Sequence, residues 1–259
     1  GSGLKVTTKS GDIVTVSNNR IIENGPGDRT GGISASGPGS ITIENNILHG
    51  NAGSSGGDRE NGAALFLLAG PHAQGSNSGD ANSILVTDNS ITGHTGNALI
   101  RVTCSDVGWV GVAGVCYYSS HVTVATINNN NISNNSTTFD LYDDHNNESD
   151  TVDAENNWWG TTSSAEIQAK TYDWNDDPTV GLVDYTPILT APNTTAPPSP
   201  PLNVAAQTGH TSISLTWDTN IESDITGYKV HYDTQPDLLY ANTVDVGNVT
   251  SYTLSGLTT

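Results

Sequence analysis

The chain has 259 residues, with 8 Lys and Arg against 27 Asp and Glu, so its formal net charge is −19 at pH 7. This length has room for two domains. The negative charge would repel a phosphate backbone, so nucleic acids and anionic membranes are poor partners. Glycine is abundant at 28 residues, which favours a turn-rich, all-β fold. No apolar run is long enough to insert into a bilayer.

Short segments that alternate polar and apolar residues follow one another from residue 4 onward. The first cycle comprises segments 4–6, 13–16 and 21–22, the second comprises 33–35, 41–43 and Leu48, and later cycles begin at 65–67, 100–102 and 139–141. Each cycle therefore predicts three short strands that are separated by turns. Because strands this short cannot bury a face alone, we expect successive cycles to stack in parallel around one narrow core.

An asparagine recurs in each cycle, three residues after an apolar position that is expected to face inward. The copies are Asn19, Asn46, Asn89, Asn130 and Asn157, at intervals of 27, 43, 41 and 27 residues. The short intervals suit one coil of a solenoid, and the long ones suit a coil with an insertion. An inward polar side chain must be hydrogen-bonded, and asparagine offers a donor and an acceptor and tolerates left-handed backbone. The sequence thus predicts an asparagine ladder, with a weaker second column at Asn24, Asn51, His94 and Asn135.

This pattern over residues 3–160 resembles the right-handed parallel β-helix of pectate-lyase-like solenoids and many secreted surface proteins. Residues 161–189 resemble the cap that closes such helices, which physics also requires because an open sheet end invites edge association. The bulky residues available for that role are Trp158, Trp159, Trp174 and Tyr185. The resemblance implies an all-β fold with about five to six coils over residues 1–160, followed by a C-terminal cap.

The composition changes after Leu189. Residues 190–201 are rich in Pro and Thr and predict an extended, semi-rigid linker. The alternating strands of residues 202–259 resemble a fibronectin type III domain, in which Trp217 corresponds to the core tryptophan of the second strand. The third strand would carry Tyr228, Val230 and Tyr232. The last strands would lie beyond Thr259, so we expect an incomplete sandwich that accepts a strand from another chain or self-assembles.

Two cysteines, Cys104 and Cys116, lie in one predicted insertion. A disulfide between them would close a loop of about a dozen residues and stabilise it by roughly 3 kcal/mol in the chain-entropy model. Such a bond would indicate an oxidising, extracellular compartment. The alternative is a pair of buried free thiols.

The resemblance implies that chemistry takes place on the outer face of the first strand of each coil. Alternation points Ser34, Phe66, Arg101, Asp140 and Tyr142 outward there, and insertions 69–82 and 103–121 would wall a groove with His72, Asp80, Asp106, Trp109, Tyr117 and Tyr118. Aromatic rings stack on sugars, and an arginine can bind a uronate carboxylate in bidentate fashion. The glycan-binding candidates are therefore Phe66, Arg101, Trp109, Tyr117, Tyr118 and Tyr142.

Catalysis on a polysaccharide would use the same face. A lyase needs a base and a cation at the uronate carboxylate, for which Arg101, Asp140 and His72 are candidates. A glycoside hydrolase needs two carboxylates, for which Asp106 and Asp140 are the nearest candidates. No local catalytic motif supports either assignment, and the alternative is an ion pair between Arg101 and Asp140 across coils.

Acidic residues cluster in two further segments and are candidates for Ca²⁺ binding. They are Asp143, Asp144 and Asp150 in the fifth coil, and Asp173, Asp176 and Asp177 in the cap. Hard carboxylate oxygens suit Ca²⁺, but neither segment has the spacing of an EF-hand loop. The alternative is a pair of solvated acidic loops.

These observations favour a non-catalytic extracellular or cell-surface module with a structural or adhesive role, which contacts glycans and is part of a larger assembly. The alternative function is that of a polysaccharide lyase or glycoside hydrolase, with its groove on the first-strand face.

Overall fold

A computed structural model describes residues 3–25, 30–53, 62–69, 83–103, 123–145, 150–234 and 240–257. The chain divides into two compact units, Gly1–Pro197 and Pro198–Thr259. Across these described ranges, no helix combines the length and apolar character needed to cross a membrane.

The first unit is a parallel β-helix in which successive coils add strands to three sheets. The first sheet contains β1 (Leu4–Thr7), β4 (Ile33–Ser36), β7 (Gly62–Leu68), β10 (Thr95–Thr103), β13 (Ser136–Asp143) and β15 (Thr171–Tyr172). The second contains β2 (Ile13–Ser17), β5 (Ser40–Glu44), β8 (Ser83–Thr87), β11 (Thr123–Asn128), β14 (Thr151–Asp153) and β16 (Leu182–Asp184). The third contains β3 (Arg20–Ile22), β6 (Ile47–His49), β9 (Ser90–Thr92) and β12 (Asn131–Ser133). The predicted parallel solenoid is confirmed.

The core is a stack of apolar side chains that lie in register from coil to coil. The fully buried rows are Ile33, Leu65, Ile100 and Leu141 of the first sheet, Ile43, Val86 and Ile127 of the second, and Leu48, Ile91 and Ile132 of the third. Burying each such side chain stabilises the fold by about 1.5–3 kcal/mol. The predicted inward positions around the asparagines are therefore the ones that form the core.

The predicted asparagine ladder joins successive coils between the second and third sheets. The backbone N–H and the Nδ2 of each asparagine donate to Oδ1 of the next, as Asn46 does to Asn89 at 2.9 and 3.0 Å and Asn89 does to Asn130 at 3.0 and 2.9 Å. The position of the left-handed residue differs from the prediction. The residue before each ladder asparagine, and not the ladder asparagine itself, has a positive φ. Those residues are Asn18, Asn45, Asp88, Asn129 and Asn156.

The second column is also present, at the turn that follows the third sheet. Asn24 donates through its backbone N–H and its Nδ2 to Oδ1 of Asn51, at 3.0 Å in both cases. His94 replaces asparagine in the next coil, where its Nδ1 lies 3.1 Å from the Asn51 carbonyl oxygen and its Nε2 lies 3.0 Å from that of Leu48. The backbone N–H of His94 donates to Oδ1 of Asn135.

The last coil contains the helix α1 (Ser164–Ala169), which begins after the N-cap Ser163. Ile167 of this helix, Trp159 and Val183 are buried in the core cluster, and Tyr185 packs against it. Trp174 contributes less to this cover than predicted, since 45% of its surface is exposed.

The second unit is built from antiparallel strands. One sheet contains β17 (Ala205–Thr208), β18 (Ser212–Thr216) and β21 (Ser251–Ser255), and a second pairs β19 (Tyr228–Tyr232) with β20 (Asn242–Gly247). Trp217 is buried, as predicted, and its ring meets that of Tyr228 edge-on at 5.3 Å. Val230 and Leu254 are the other buried apolar residues of these strands.

Candidate functional site

One row of side chains on the first sheet points away from the core and runs through all six strands. In register order it contains Lys5, Ser34, Phe66, Arg101, Tyr142 and Tyr172. Alternation along each strand predicted the direction of its central members. Their accessibility differs from the prediction, because Phe66 and Arg101 are only 3% and 4% exposed. Neither side chain offers an open surface to a glycan.

Arg101 forms an ion pair with Asp144, so the alternative of an ion pair between Arg101 and Asp140 is wrong. Nη2 of Arg101 donates to Oδ2 of Asp144, and the guanidinium carbon lies 5.2 Å from the centroid of the Tyr142 ring. A guanidinium over an aromatic face is attracted by the ring quadrupole. The Arg101 guanidinium therefore packs against the Tyr142 ring, and its charge is balanced by Asp144, a predicted calcium ligand.

Asp140 belongs to a separate set of contacts. Its Oδ1 accepts hydrogen bonds from Thr137 Oγ1 at 2.9 Å and from Lys170 Nζ at 3.3 Å. Burial raises the pKa of Asp140, and the Lys170 charge opposes that rise. The two leading catalytic candidates, Arg101 and Asp140, are therefore each neutralised by a different partner.

These two ion pairs are expected to differ in their contribution to stability. The side chains of Arg101 and Asp144 are 5% and 16% exposed, whereas that of Lys170 is 38% exposed. Arg101→Gln should lower the free energy of unfolding by about 2–4 kcal/mol, because it leaves a largely buried carboxylate without its cation. Lys170→Gln should cost less, about 1 kcal/mol, although the carboxyl of Asp140 is only 12% exposed. Lys170 itself is partly exposed, and Asp140 keeps the hydrogen bond from Thr137 and has a raised pKa, so it takes up a proton more readily than an ordinary aspartate. Denaturant unfolding of both variants measures this difference, and equal losses would contradict it.

The accessible end of the row is an aromatic patch made of Phe139, Tyr142 and Tyr172. The rings of Tyr142 and Tyr172 are stacked, with centroids 4.4 Å apart and planes 7° from parallel. Phe139 meets both rings edge-on, at 5.4 and 5.7 Å. All three residues are partly exposed, and the exposed Trp174 follows two positions after Tyr172. Tyr172 covers one face of Tyr142 and Arg101 lies over the same ring, so the aromatic patch offers a ligand the second face of Tyr172 and the edges of the rings.

Sequence reasoning identified Tyr142 but missed Phe139 and Tyr172. A signal for Tyr172 was available, because a Tyr-Asp pair occurs at 142–143 and again at 172–173. The strands align these pairs, with Tyr142 opposite Tyr172 and Leu141 opposite Thr171.

Acidic groups border the aromatic patch. Burial raises the pKa of Tyr172 to about 12, and the neighbouring Tyr142 hydroxyl and the charges of Asp177 and Asp176 add to that rise. The backbone N–H and hydroxyl of Thr179 donate to Oδ1 of Asp177 at 3.0 and 2.8 Å and lower the pKa of this carboxyl. The patch thus combines a neutral Tyr172 hydroxyl with the ionised Asp177 acceptor.

Three of the proposed calcium ligands are buried, and two of them, Asp143 and Asp173, make internal hydrogen bonds. Oδ1 of Asp143 lies 2.7 Å from Nδ1 of His145, whose Nε2 lies 3.1 Å from the carbonyl oxygen of Ala69. Burial acts to lower the pKa of His145, but the Asp143 charge, the hydrogen bonds to Asp143 and to the Ala69 carbonyl, and the Asp144 charge together outweigh it and raise that pKa. Asp173 accepts hydrogen bonds from the backbone N–H groups of Asn175 and Val183 at 3.0 and 3.2 Å.

The other calcium candidates occupy different surroundings. The Asp150 side chain is fully buried, and Oδ2 of Asp176 accepts from the N–H of Asp173. Within the part of the chain that the structure describes, no three His, Cys, Asp or Glu side chains form a group suited to a metal ion.

Several predicted groove residues lie outside the described residues. They are His72, Asp80, Asp106, Trp109, Tyr117 and Tyr118. The predicted disulfide partners Cys104 and Cys116 lie outside them as well.

Comparison with known proteins bears on the second unit. A family model described as the fibronectin type III domain matches residues 197–259. No curated protein and no solved structure matches the chain. Fibronectin type III domains are typical of extracellular proteins. The chain therefore combines a parallel β-helix with a C-terminal fibronectin type III domain.

Proposed function

We propose that the chain is a non-catalytic extracellular or cell-surface module with a structural or adhesive role, which contacts a glycan through the aromatic patch. The observation that carries this proposal is the partly exposed, stacked pair of Tyr142 and Tyr172. The faces of sugar rings bind well to aromatic side chains, and the tyrosine hydroxyls can hydrogen-bond the sugar hydroxyls. The β-helix supports the patch on a rigid sheet, which keeps the cost of ordering it low.

The charges around the patch favour a neutral glycan over a uronate polymer. Arg101 was the residue expected to bind a uronate carboxylate, but it is covered and paired with Asp144. The carboxylates of Asp177 and Asp176 lie close enough to Tyr172 to help raise the pKa of its hydroxyl. With a chain charge of −19, an acidic polysaccharide would be repelled. Carboxylates accept hydrogen bonds from neutral sugar hydroxyls, so the same groups suit an uncharged ligand.

A glycoside hydrolase or lyase is the second candidate, and one observation favours it. The raised pKa of buried Asp140 is a property that general acids share. Its hydrogen bonds favour a structural role for this carboxyl instead, because the bond from Lys170 joins β13 to the residue before β15 and the bond from Thr137 holds the carboxyl within β13. The main proposal has two further parts: the β-helix is related to pectate-lyase-like solenoids, and the protein is part of a larger assembly.

Replacing Tyr172 with alanine is expected to weaken binding of neutral polysaccharides about tenfold, because the loss of one stacked ring costs about 0.5–1.5 kcal/mol beyond its buried area. Tyr172→Phe keeps the ring and should retain most of the binding. Tyr240→Ala removes an exposed tyrosine of the second unit and serves as the control. Isothermal titration calorimetry with a panel of polysaccharides measures the dissociation constants, and an assay of new reducing ends on the same samples measures hydrolysis.

Two outcomes would overturn the proposal. Binding that is unchanged in both Tyr142→Ala and Tyr172→Ala would remove the patch from the site. Turnover that disappears in Asp140→Asn would establish the enzymatic alternative.

A further inference from the structure

Residues 190–197, which we call the strap, lie against the third sheet of the β-helix. The chain leaves the last coil at Leu189, whose N–H donates to the carbonyl oxygen of Asn157 at 3.0 Å. It then reaches β12, where Asn193 bonds to Asn131, and next β9, where Oγ of Ser90 donates to the Pro197 carbonyl. The strap therefore runs back over earlier coils, opposite to the direction in which the coils stack. The composition of residues 190–201 predicts an extended, semi-rigid linker, whereas residues 190–197 are bonded to the sheet.

Asn193 is the best-held residue of the strap. Its backbone N–H donates to Oδ1 of Asn131 at 2.7 Å, and its carbonyl accepts from Nδ2 of Asn131 at 2.9 Å. Its own Nδ2 donates to Oδ1 of Asp88 at 2.8 Å and to the carbonyl of Asn129 at 2.6 Å, and its Oδ1 accepts from the N–H of Thr195. A side-chain amide that pairs with both backbone groups of one residue recognises an extended peptide. The third sheet thus carries a peptide-binding surface that the chain itself occupies.

Most side chains of the strap are not buried. Ala196 is buried, whereas Thr190, Ala191, Thr194 and Thr195 are exposed. On the sheet, Asn131 and Ser90 are buried although both are polar. The strap is therefore held by a few hydrogen bonds, and its opening costs far less than unfolding the apolar core beneath it.

We propose that the strap is a releasable latch that sets the length of free chain between the two units. When the latch is closed, only Pro198 lies between the strap and Ser199, whose N–H donates to Oε1 of Glu222 within the second unit. When it opens, residues 190–198 become a spacer of about 28 Å, at roughly 3.1 Å per residue for a Pro-rich chain. The length of the linker between two modules decides whether both can bind their ligands at the same time.

Hydrogen exchange of the full-length protein, measured by NMR at single amides, tests the latch without any ligand. In the wild type the N–H groups of Asn193 and Thr195 should be protected. Asn193→Ala, which alters only the strap, and Asn131→Ala, which alters the sheet, should each accelerate exchange of the remaining strap amides by about 10- to 100-fold. Asn134→Gly removes an exposed asparagine of the same coil, suits the left-handed backbone at that position (φ 56°), and should leave exchange unchanged.

The same spectra distinguish a released latch from an unfolded protein. Core amides such as those of Ile91 and Ile132 should keep their protection in the strap variant Asn193→Ala. Unprotected strap amides in the wild type, or protection that survives in both variants, would overturn the proposal. The result does not depend on glycan binding, so this proposal and the preceding one can fail separately.

Discussion

Asn89→Ala is expected to lower the free energy of unfolding of the β-helix by about 3–5 kcal/mol, a large effect for a single polar side chain. Asn89 is fully buried. Its Oδ1 accepts from the backbone N–H and Nδ2 of Asn46, and its Nδ2 donates to the carbonyls of Ile43 and Thr87, at 2.9–3.0 Å in each case. Alanine leaves the backbone N–H of Asn46 without this acceptor and takes a hydrogen bond from the buried carbonyls of Ile43 and Thr87. Each buried group that is left unsatisfied costs about 1–3 kcal/mol.

The ladder itself provides the control. Asn19 is its exposed end, and its Nδ2 donates to Oδ1 of Asn46 at 3.1 Å and to the carbonyl of Ser17 at 2.9 Å. Water can replace these bonds, so Asn19→Ala should cost less than about 1 kcal/mol. Urea unfolding followed by circular dichroism compares the two variants. If they lose equal stability, buried satisfaction of the ladder is not what holds the coils in register.

Acidification is expected to destabilise the β-helix through His94. Burial lowers the pKa of His94 to about 4 from 6.5, while the carbonyls of Leu48 and Asn51 act in the opposite direction. The unfolded state therefore binds a proton more readily than the folded state between these two values. The contribution is fully present above pH 6.5 and is lost as the pH falls toward 4, with a total of about 3 kcal/mol.

His94→Asn isolates this contribution. Asparagine occupies the equivalent positions at Asn51 and Asn135, where Nδ2 donates to the carbonyls of Ile21 and Ile91. An asparagine at position 94 can make the same bond to Leu48 and does not titrate. Stability measured by urea unfolding from pH 7 to pH 4 should fall about 3 kcal/mol less in the variant than in the wild type. Parallel curves for the two proteins would show that His94 is not the acid-sensitive group.

Histidine 94 also explains why the second column was recognisable but weaker in the sequence. A neutral imidazole has one N–H, so it can donate to only one of the two carbonyls that its nitrogens face. The asparagine at the other positions offers a donor and an acceptor together. The substitution keeps the column filled while making its bonding dependent on protonation.

Features that repeat in every coil could be predicted from the sequence. The asparagine ladder, the inward apolar rows and the burial of Trp217 all depend on local period and residue type, which each coil or strand expresses in the same way. The partner of Arg101 could not be predicted in this way. The register between β7 and β10 shifts between Ala98 and Ile100, and side-chain reach then decides between Asp140 and Asp144.

The chain by itself therefore determined the stacking of coils, the ladder positions and the presence of a fibronectin type III domain, because these follow from short-range patterns. Only the tertiary structure decided which outward residues are accessible, how Tyr142 meets Tyr172, and where residues 190–197 lie. Those properties depend on contacts between segments that are distant in sequence: Asn193 and Asp88 are 105 residues apart. No periodicity within either segment encodes such a pairing.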